Sequence, residues 1–198
     1  MEIKFLKNLN IDKGWTLFLD RDGVINYKIE NDYVKNWSQF KFLPDALIAI
    51  KGLSKIFDKI IIVTNQRGIG RGLMTEEDLW EIHRAMLIGI SKAGGKIDKI
   101  YYCPCDIDDN SRCRKPNIGM ALKSKKDFPE IDFSKSIMIG DSLSDMEFGK
   151  KSGMLTINIS KNLKHNSTMD NVDFVFKDLF SVYSKLIQIK EREYKIHV

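Results

Sequence analysis

Four polar clusters in this chain carry residue types suited to handling a charged oxyanion: Asp20 and Asp22, Thr64 and Asn65, Arg114 and Lys115, and Asp141 and Asp145. The first follows Trp15-Thr-Leu-Phe-Leu, an apolar run that ends abruptly in two carboxylates and then Gly23. Two like charges two residues apart repel unless a cation or a shared proton offsets them. Magnesium is the cation that suits them, because it takes hard oxygen ligands and leaves positions open for phosphate. A carboxylate can attack phosphorus and form an acyl phosphate. A lysine and a hydroxyl can hold the equatorial oxygens, and a second acid can protonate the leaving oxygen and later activate water. The plainer alternative is that strand-end aspartates only form turns or cap helices. For Asp145 that alternative stands level with a chemical role, and for Asp20 and Asp22 the buried run before them favours chemistry.

This chemistry needs elements that bring distant clusters together. Apolar runs without alternation read as strands buried on both faces: residues 15–20, Lys59 to Thr64, Lys99 to Cys103, Ser136 to Gly140 and Met154 to Ile159, with a short edge strand at Phe174 to Phe176. Helices are expected between them, from Pro44 and Asp45 to about Phe57, from Thr75 to Gly94, over 117–128, over 146–152 and from Asp178 to about Glu193. Thr75 and Asp78 have the spacing of a capping box, and Leu79, Ile82, Met86 and Ile90 recur at helical spacing. Strand–helix alternation predicts an α/β fold, a mostly parallel sheet with helices on both faces and its polar clusters at one edge. The segment 26–43, with Tyr27, Tyr33, Trp37, Phe40 and Phe42, reads as a loop folded over that edge, its aromatics packing rather than stacking on a ligand.

The chain has 198 residues, which fits one domain over 1–198, with 1–14 as a lead segment whose Ile3, Phe5 and Leu6 lie on the body. Its net charge of +5, from 32 basic and 27 acidic residues, is spread along the sequence and gives no concentrated basic stripe for nucleic acid. With no long apolar run and no signal-like start, a cytoplasmic monomer without a membrane partner is expected. Cys103, Cys105 and Cys113 fall in one short loop. Clustered this way in a cytosolic chain, they suggest a metal or a reactive pair rather than a disulfide framework. His83, His165 and His197 are read as structural or solvated.

The ordered set DRDGVIN, VTNQ, CRKP and GDSLSD resembles the four signature motifs of the haloacid dehalogenase superfamily of phosphohydrolases. Within it, FLDRDGVIN, TNQ-x-GI-x-RG, YYCP and CRKP-x-x-GM are similar to the heptose bisphosphate phosphatase and histidinol-phosphatase family. The resemblance covers about residues 15–160. It implies a three-layer Rossmann-like fold with a minimal cap, and hydrolysis of a sugar phosphate monoester through an aspartyl-phosphate. By the same resemblance Asp20 is the nucleophile and Asp22 the acid/base. Asp20, the Asp22 carbonyl and Asp141 bind Mg2+. Thr64, Asn65 and Lys115 hold the phosphoryl group, and Asn26, Tyr33, Gln66, Arg67 and Arg114 lie toward the substrate. Histidinol phosphate and a nucleic-acid 3′-phosphate are the alternative substrates, and a phospho-acceptor signalling module is the alternative of another class. Relatives carry a structural Zn2+ loop. Here Cys105 replaces a histidine and Ser111 a cysteine, so Cys103, Cys105 and Cys113 are possible Zn2+ ligands, with Asp106, Asp108 or water as the fourth. Arg67 stands where a small residue is usual, and Ser142 where a lysine is frequent.

Overall fold

The structure, a computed structural model, describes residues 11–106, 111–160 and 171–196. The lead-segment residues Ile3, Phe5 and Leu6, the loop residue Asp108, and His165 and His197 lie outside them. Among the described residues six strands form one sheet: β1 (Thr16–Leu19), β2 (Lys59–Asn65), β3 (Lys99–Cys103), β4 (Ser136–Gly140), β5 (Leu155–Ile159) and β6 (Phe174–Phe176). Their order is β3-β2-β1-β4-β5-β6, and every neighbouring pair is parallel. The chain therefore winds outward from β1 in one direction, returns to β4, and winds outward in the other. The switch point between β1 and β4 is where such sheets open a crevice at their carboxyl edge.

Strand alternation separates two cores, as the pleat requires. Leu17, Leu19, Ile60, Ile62, Ile137 and Ile139 face one side. They are covered there by α1 (Ala46–Ile56), α3 (Glu76–Lys92) and α6 (Leu179–Ile196). Phe18, Ile61, Val63 and Met138 face the other, under α4 (Gly119–Asp127) and α5 (Leu143–Ser152). This is the three-layer α/β arrangement expected. At Gly52 the helices α1 and α6 approach so closely that a Cβ would stand 2.1 Å from the Tyr183 ring.

Local signals account for most helix ends. Thr75 and Asp78 do form a reciprocal capping box at the start of α3, and Asp178 accepts from the Ser181 N–H at the start of α6 (2.7 Å). Two starts differ from expectation. Asp45 precedes α1 in the left-handed region (φ 58°) and makes no side-chain cap. Helix α5 begins at Leu143, three residues before the sequence reading placed it, because Ser142 and Asp145 form a second capping box. The glycine-rich segment after β2 contains a single helical turn, α2 (Arg67–Gly70). Over the sheet edge, Phe40 stacks on Trp37 and meets Phe42 edge-on, with centroids 4.8 and 5.0 Å apart. Those aromatics pack on one another, as expected.

Candidate active site

The turn after β1 builds the centre of the crevice. The Asp20 N–H donates to the Ile139 carbonyl (2.9 Å), tying the end of β1 to β4. The Arg21 carbonyl then accepts from the N–H groups of Ile25 and Asn26 (2.8 and 3.2 Å), which closes a tight turn. Gly23 sits in that turn at φ +88°, and a Cβ there would lie 2.2 Å from Asp141 Oδ2. Only glycine lets β1's turn and β4's carboxylate share this space.

Asp20, Asp141 and Asp145 place carboxylate oxygens within 4.8 Å of one another. Lys115, itself buried, stands between two of them, 2.9 Å from Asp20 Oδ1 and 2.5 Å from Asp145 Oδ1. Its Nζ also donates to the Val63 carbonyl (2.7 Å). Lys28 reaches Asp141 from the loop (3.1 Å). Burial and the neighbouring Asp145 push the Asp20 carboxyl up to about 7, despite Lys115. Burial likewise raises Asp141. Three clustered carboxylates sharing one ammonium, with burial raising the pKa of Asp20 and Asp141, fit a hard divalent cation such as magnesium. Asp145 caps α5 and also pairs with Lys115, so its side chain serves the helix and the carboxylate cluster at once.

Asp22 is organised differently. Its carboxylate accepts from Arg21 Nη2 on both oxygens (3.0 and 2.9 Å), from Asn26 Nδ2 (2.8 Å) and from Gln66 Nε2 (3.1 Å). Burial alone would raise its pKa; the Arg21 guanidinium and these hydrogen bonds outweigh that and hold it below the usual range. Asn26 and Gln66, expected on the substrate, are buried and turned onto Asp22 instead. Asn65 is also placed otherwise than expected. Its amide donates to the Lys115 carbonyl (3.1 Å) and accepts from the Lys115 N–H (3.0 Å), so it latches the lysine's backbone to β2.

Together Asp20, Asp22, Thr64, Asn65, Arg114, Lys115 and Asp141 line a cleft of about 240 Å³, with Tyr33 and Lys28 on its loop side. Tyr33 packs over Gly68, where a Cβ would meet its ring at 3.1 Å. Arg67 pairs with Asp106 on the cysteine loop and is absent from the cleft wall. A larger groove of about 760 Å³ runs along α3 and the edge strand β3, floored by His83 and Tyr102. It lacks paired carboxylates, so the smaller, charged cleft is the candidate site.

The cysteine loop departs from expectation. Cys103 and Cys113, ten residues apart, are joined as a disulfide with Cα atoms 5.4 Å apart. The sequence reading weighed compartment and clustering, whereas the loop's return brings two cysteines to bridging distance. The three sulfurs lie within 4.8 Å of one another, but a disulfide sulfur is not a thiolate. Cys105 alone remains free among them, and the loop in this state does not fit zinc.

Sequence reasoning passed over Arg21 and read His83 as structural or solvated. Arg21 is fully buried, and its Nη1 meets His83 Nε2 at 3.2 Å. One signal was available: His83 falls on the apolar face of α3, four residues after Leu79 and three before Met86.

Comparison with known proteins agrees with the geometry. Residues 17–176 match the sequence model of the family described as polynucleotide kinase 3 phosphatase. D-glycero-alpha-D-manno-heptose-1,7-bisphosphate 7-phosphatase of Mycobacterium bovis is 44% identical over 133 residues, covering 67% of this chain and 70% of that protein. The D-glycero-beta-D-manno-heptose-1,7-bisphosphate 7-phosphatase of Rhodopseudomonas palustris is 38% identical over 144 residues, covering 69% and 78%. Among solved structures, a D,D-heptose 1,7-bisphosphate phosphatase from B. bronchiseptica, complexed with magnesium and phosphate, aligns with a TM-score of 0.79 at 31% identity. That alignment spans 87% of this chain and 98% of the other. With the parallel sheet, the four strand-end clusters and these relatives all in agreement, the chain belongs to the haloacid dehalogenase superfamily of phosphatases, in the family that includes the heptose bisphosphate phosphatases.

Proposed function

We propose that the chain, acting as one catalytic domain, removes a phosphoryl group from a phosphorylated sugar, with D-glycero-D-manno-heptose 1,7-bisphosphate, at its C7 phosphate, as the substrate. One observation carries the reading: Lys115 bridges Asp20 and Asp145 at the rim where Asp141 also converges, while Asp22 stands beside them on its own clamp. A bound magnesium, held by Asp20, Asp141 and the Asp22 carbonyl, would offset the negative charge that otherwise keeps a phosphate anion away.

In this reading an Asp20 carboxylate oxygen attacks phosphorus and the bond to the sugar oxygen breaks. Asp22, ionised in the free site, takes up the proton that the bound phosphate monoanion carries in and gives it to that leaving oxygen. Asp22, now ionised, takes a proton from water, which attacks the aspartyl-phosphate and returns Asp20 as a carboxylate with inorganic phosphate. Lys115 and Thr64 steady the equatorial oxygens. Asn65 acts through Lys115, by holding its backbone. The second phosphate of the substrate falls to Arg114, whose guanidinium stands on the cleft wall.

The family description also names a phosphatase of polynucleotide ends. Against a polymer, the net charge of +5 is spread along the sequence and forms no concentrated basic stripe to track a long polyanion. The test is phosphate release from both anomers of heptose 1,7-bisphosphate, histidinol phosphate and 3′-phosphorylated DNA, each with and without Mg2+. Magnesium-dependent release from a heptose bisphosphate, at least about tenfold above the others in kcat/KM, is expected. Release from DNA alone would overturn the sugar assignment, and a phosphoenzyme that never turns over would favour signalling.

A further inference from the structure

The buried pair Arg21 and His83 lies behind the acid/base and touches neither the cleft's carboxylate cluster nor its lysine. Arg21 is fully buried, and its Nε finds no partner among the described residues. Its orientation therefore depends on its two terminal nitrogens. Nη2 grips both oxygens of Asp22 and reaches Gln66 Oε1 at 3.4 Å. Among the described residues Nη1 meets one partner, Nε2 of His83, at 3.2 Å. A guanidinium only donates hydrogen bonds, so Nε2 must accept, and the ring proton must sit on Nδ1. His83 comes from the middle of α3, 62 residues away in the chain. The His83 and Tyr102 rings meet in a T-shaped contact, centroids 6.2 Å apart.

We infer that His83 is a positioning residue for the reaction: as a neutral acceptor it fixes Arg21, and Arg21 fixes the plane of the Asp22 carboxylate toward the leaving oxygen. This deepens the phosphatase reading and rests on it. The physical need is clear. Every described contact to Asp22 is a donor aimed at its oxygens, so its plane is set by where those donors stand. Of these, Arg21 alone spans both oxygens. Proton transfer falls steeply when donor and acceptor shift by a fraction of an ångström. Burial, with the adjacent guanidinium, lowers the His83 pKa to about 3, so the ring stays neutral and able to accept at working pH. Helix α3 thus reaches the chemistry through two side chains that never touch the substrate.

The test compares His83→Leu, which fills the space without an acceptor, with His83→Gln, whose amide oxygen can accept from Nη1. Each is assayed on the sugar phosphate and on p-nitrophenyl phosphate, whose leaving group departs without a proton. Because kcat/KM reports the step in which the leaving group departs, loss of acid positioning must show on the sugar phosphate first. His83→Leu is expected to lose about tenfold to a hundredfold there, and less than about threefold on the aryl phosphate. His83→Gln should recover most of the loss. Equal losses on both substrates, or a His83→Gln no better than His83→Leu, would show that His83 only holds the fold. A readout without turnover separates this inference from the phosphatase reading. Nitrogen-detected imidazole NMR of the parent protein should find His83 protonated on Nδ1, with Nε2 bare, from about pH 5 to pH 8. An Nε2-protonated or cationic ring refutes the relay whatever the enzyme hydrolyses. A parent inert on every phosphate ester, with the ring as described, refutes the function and leaves the Arg21–His83 contact standing.

Discussion

Gly23→Ala separates backbone strain from the loss of a metal ligand, because Gly153 supplies a matched control. Both glycines lie in the left-handed region, at φ +88° and +84°. A Cβ at Gly153 would meet nothing within 4 Å, whereas one at Gly23 would stand 2.2 Å from Asp141 Oδ2 and 2.5 Å from its Cγ. The backbone cost is common to both, about 1–2 kcal/mol for an L side chain in that region. For a chain of this size, that lowers the melting temperature by roughly 2–8 °C. The collision at Gly23 falls on the end of a side chain, so Asp141 can swing aside with little further loss of stability. To reach ordinary contact its carboxylate must retreat by about 1 Å. Only its ion pair with the exposed Lys28 is given up, and such pairs contribute about 0–1 kcal/mol. Magnesium demands near-ideal ligand placement, so that retreat removes a ligand. Gly23→Ala and Gly153→Ala should therefore melt within a few degrees of each other. Gly23→Ala alone should need about tenfold more Mg2+ and lose about a hundredfold in kcat. Thermal melts, Mg2+ titrations and phosphate release on both variants check this. Normal Mg2+ dependence in Gly23→Ala would refute the placement of Asp141 in the metal site.

Further outcomes follow from the same geometry. Asp20→Asn should abolish turnover while circular dichroism and the melting transition stay native-like, since the change removes a charge from a cluster of three carboxylates; surviving activity would refute the nucleophile assignment. Asp20's proton is held more tightly in the fold, about 7 against 3.8. Its stabilising contribution is thus complete below pH 3.8 and is lost as pH rises through about 7. Metal-free protein should therefore lose stability across that window in thermal melts. Added Mg2+ should restore it most at the alkaline end, where the carboxylate is ionised. Thiol titration of protein prepared without reductant should find Cys105 alone reactive, with Cys103 and Cys113 appearing only after reduction; three thiols released only by a chelator would show that the loop holds a metal instead.

Much of the architecture was legible locally. Apolar runs free of charge mark strands buried on both faces, and the polar residue that ends each run marks the rim, so residues as distant as Asp20 and Asp141 could be assigned to one edge. The capping box at Thr75 and Asp78 was legible for the same reason, because both partners lie within one turn. Asp145 was ambiguous because its cap is local but its ion pair with Lys115 spans 30 residues. Asn26, Gln66 and Asn65 were placed toward the substrate, yet each turns its amide onto a neighbour in the protein. A primary amide suits either role, and only the surrounding donors and acceptors select one.

What the sequence determined by itself was the alternation of strand and helix and the set of chemical groups at the strand ends, since both follow from periodicity and residue type. The tertiary structure decided the pairings: Lys115 between Asp20 and Asp145, Arg21 clamped between Asp22 and His83, Cys103 bridged to Cys113. Those contacts join segments separated by sheet crossovers or loop returns, and their geometry exists only once β1 and β4 lie side by side with α3 packed against them.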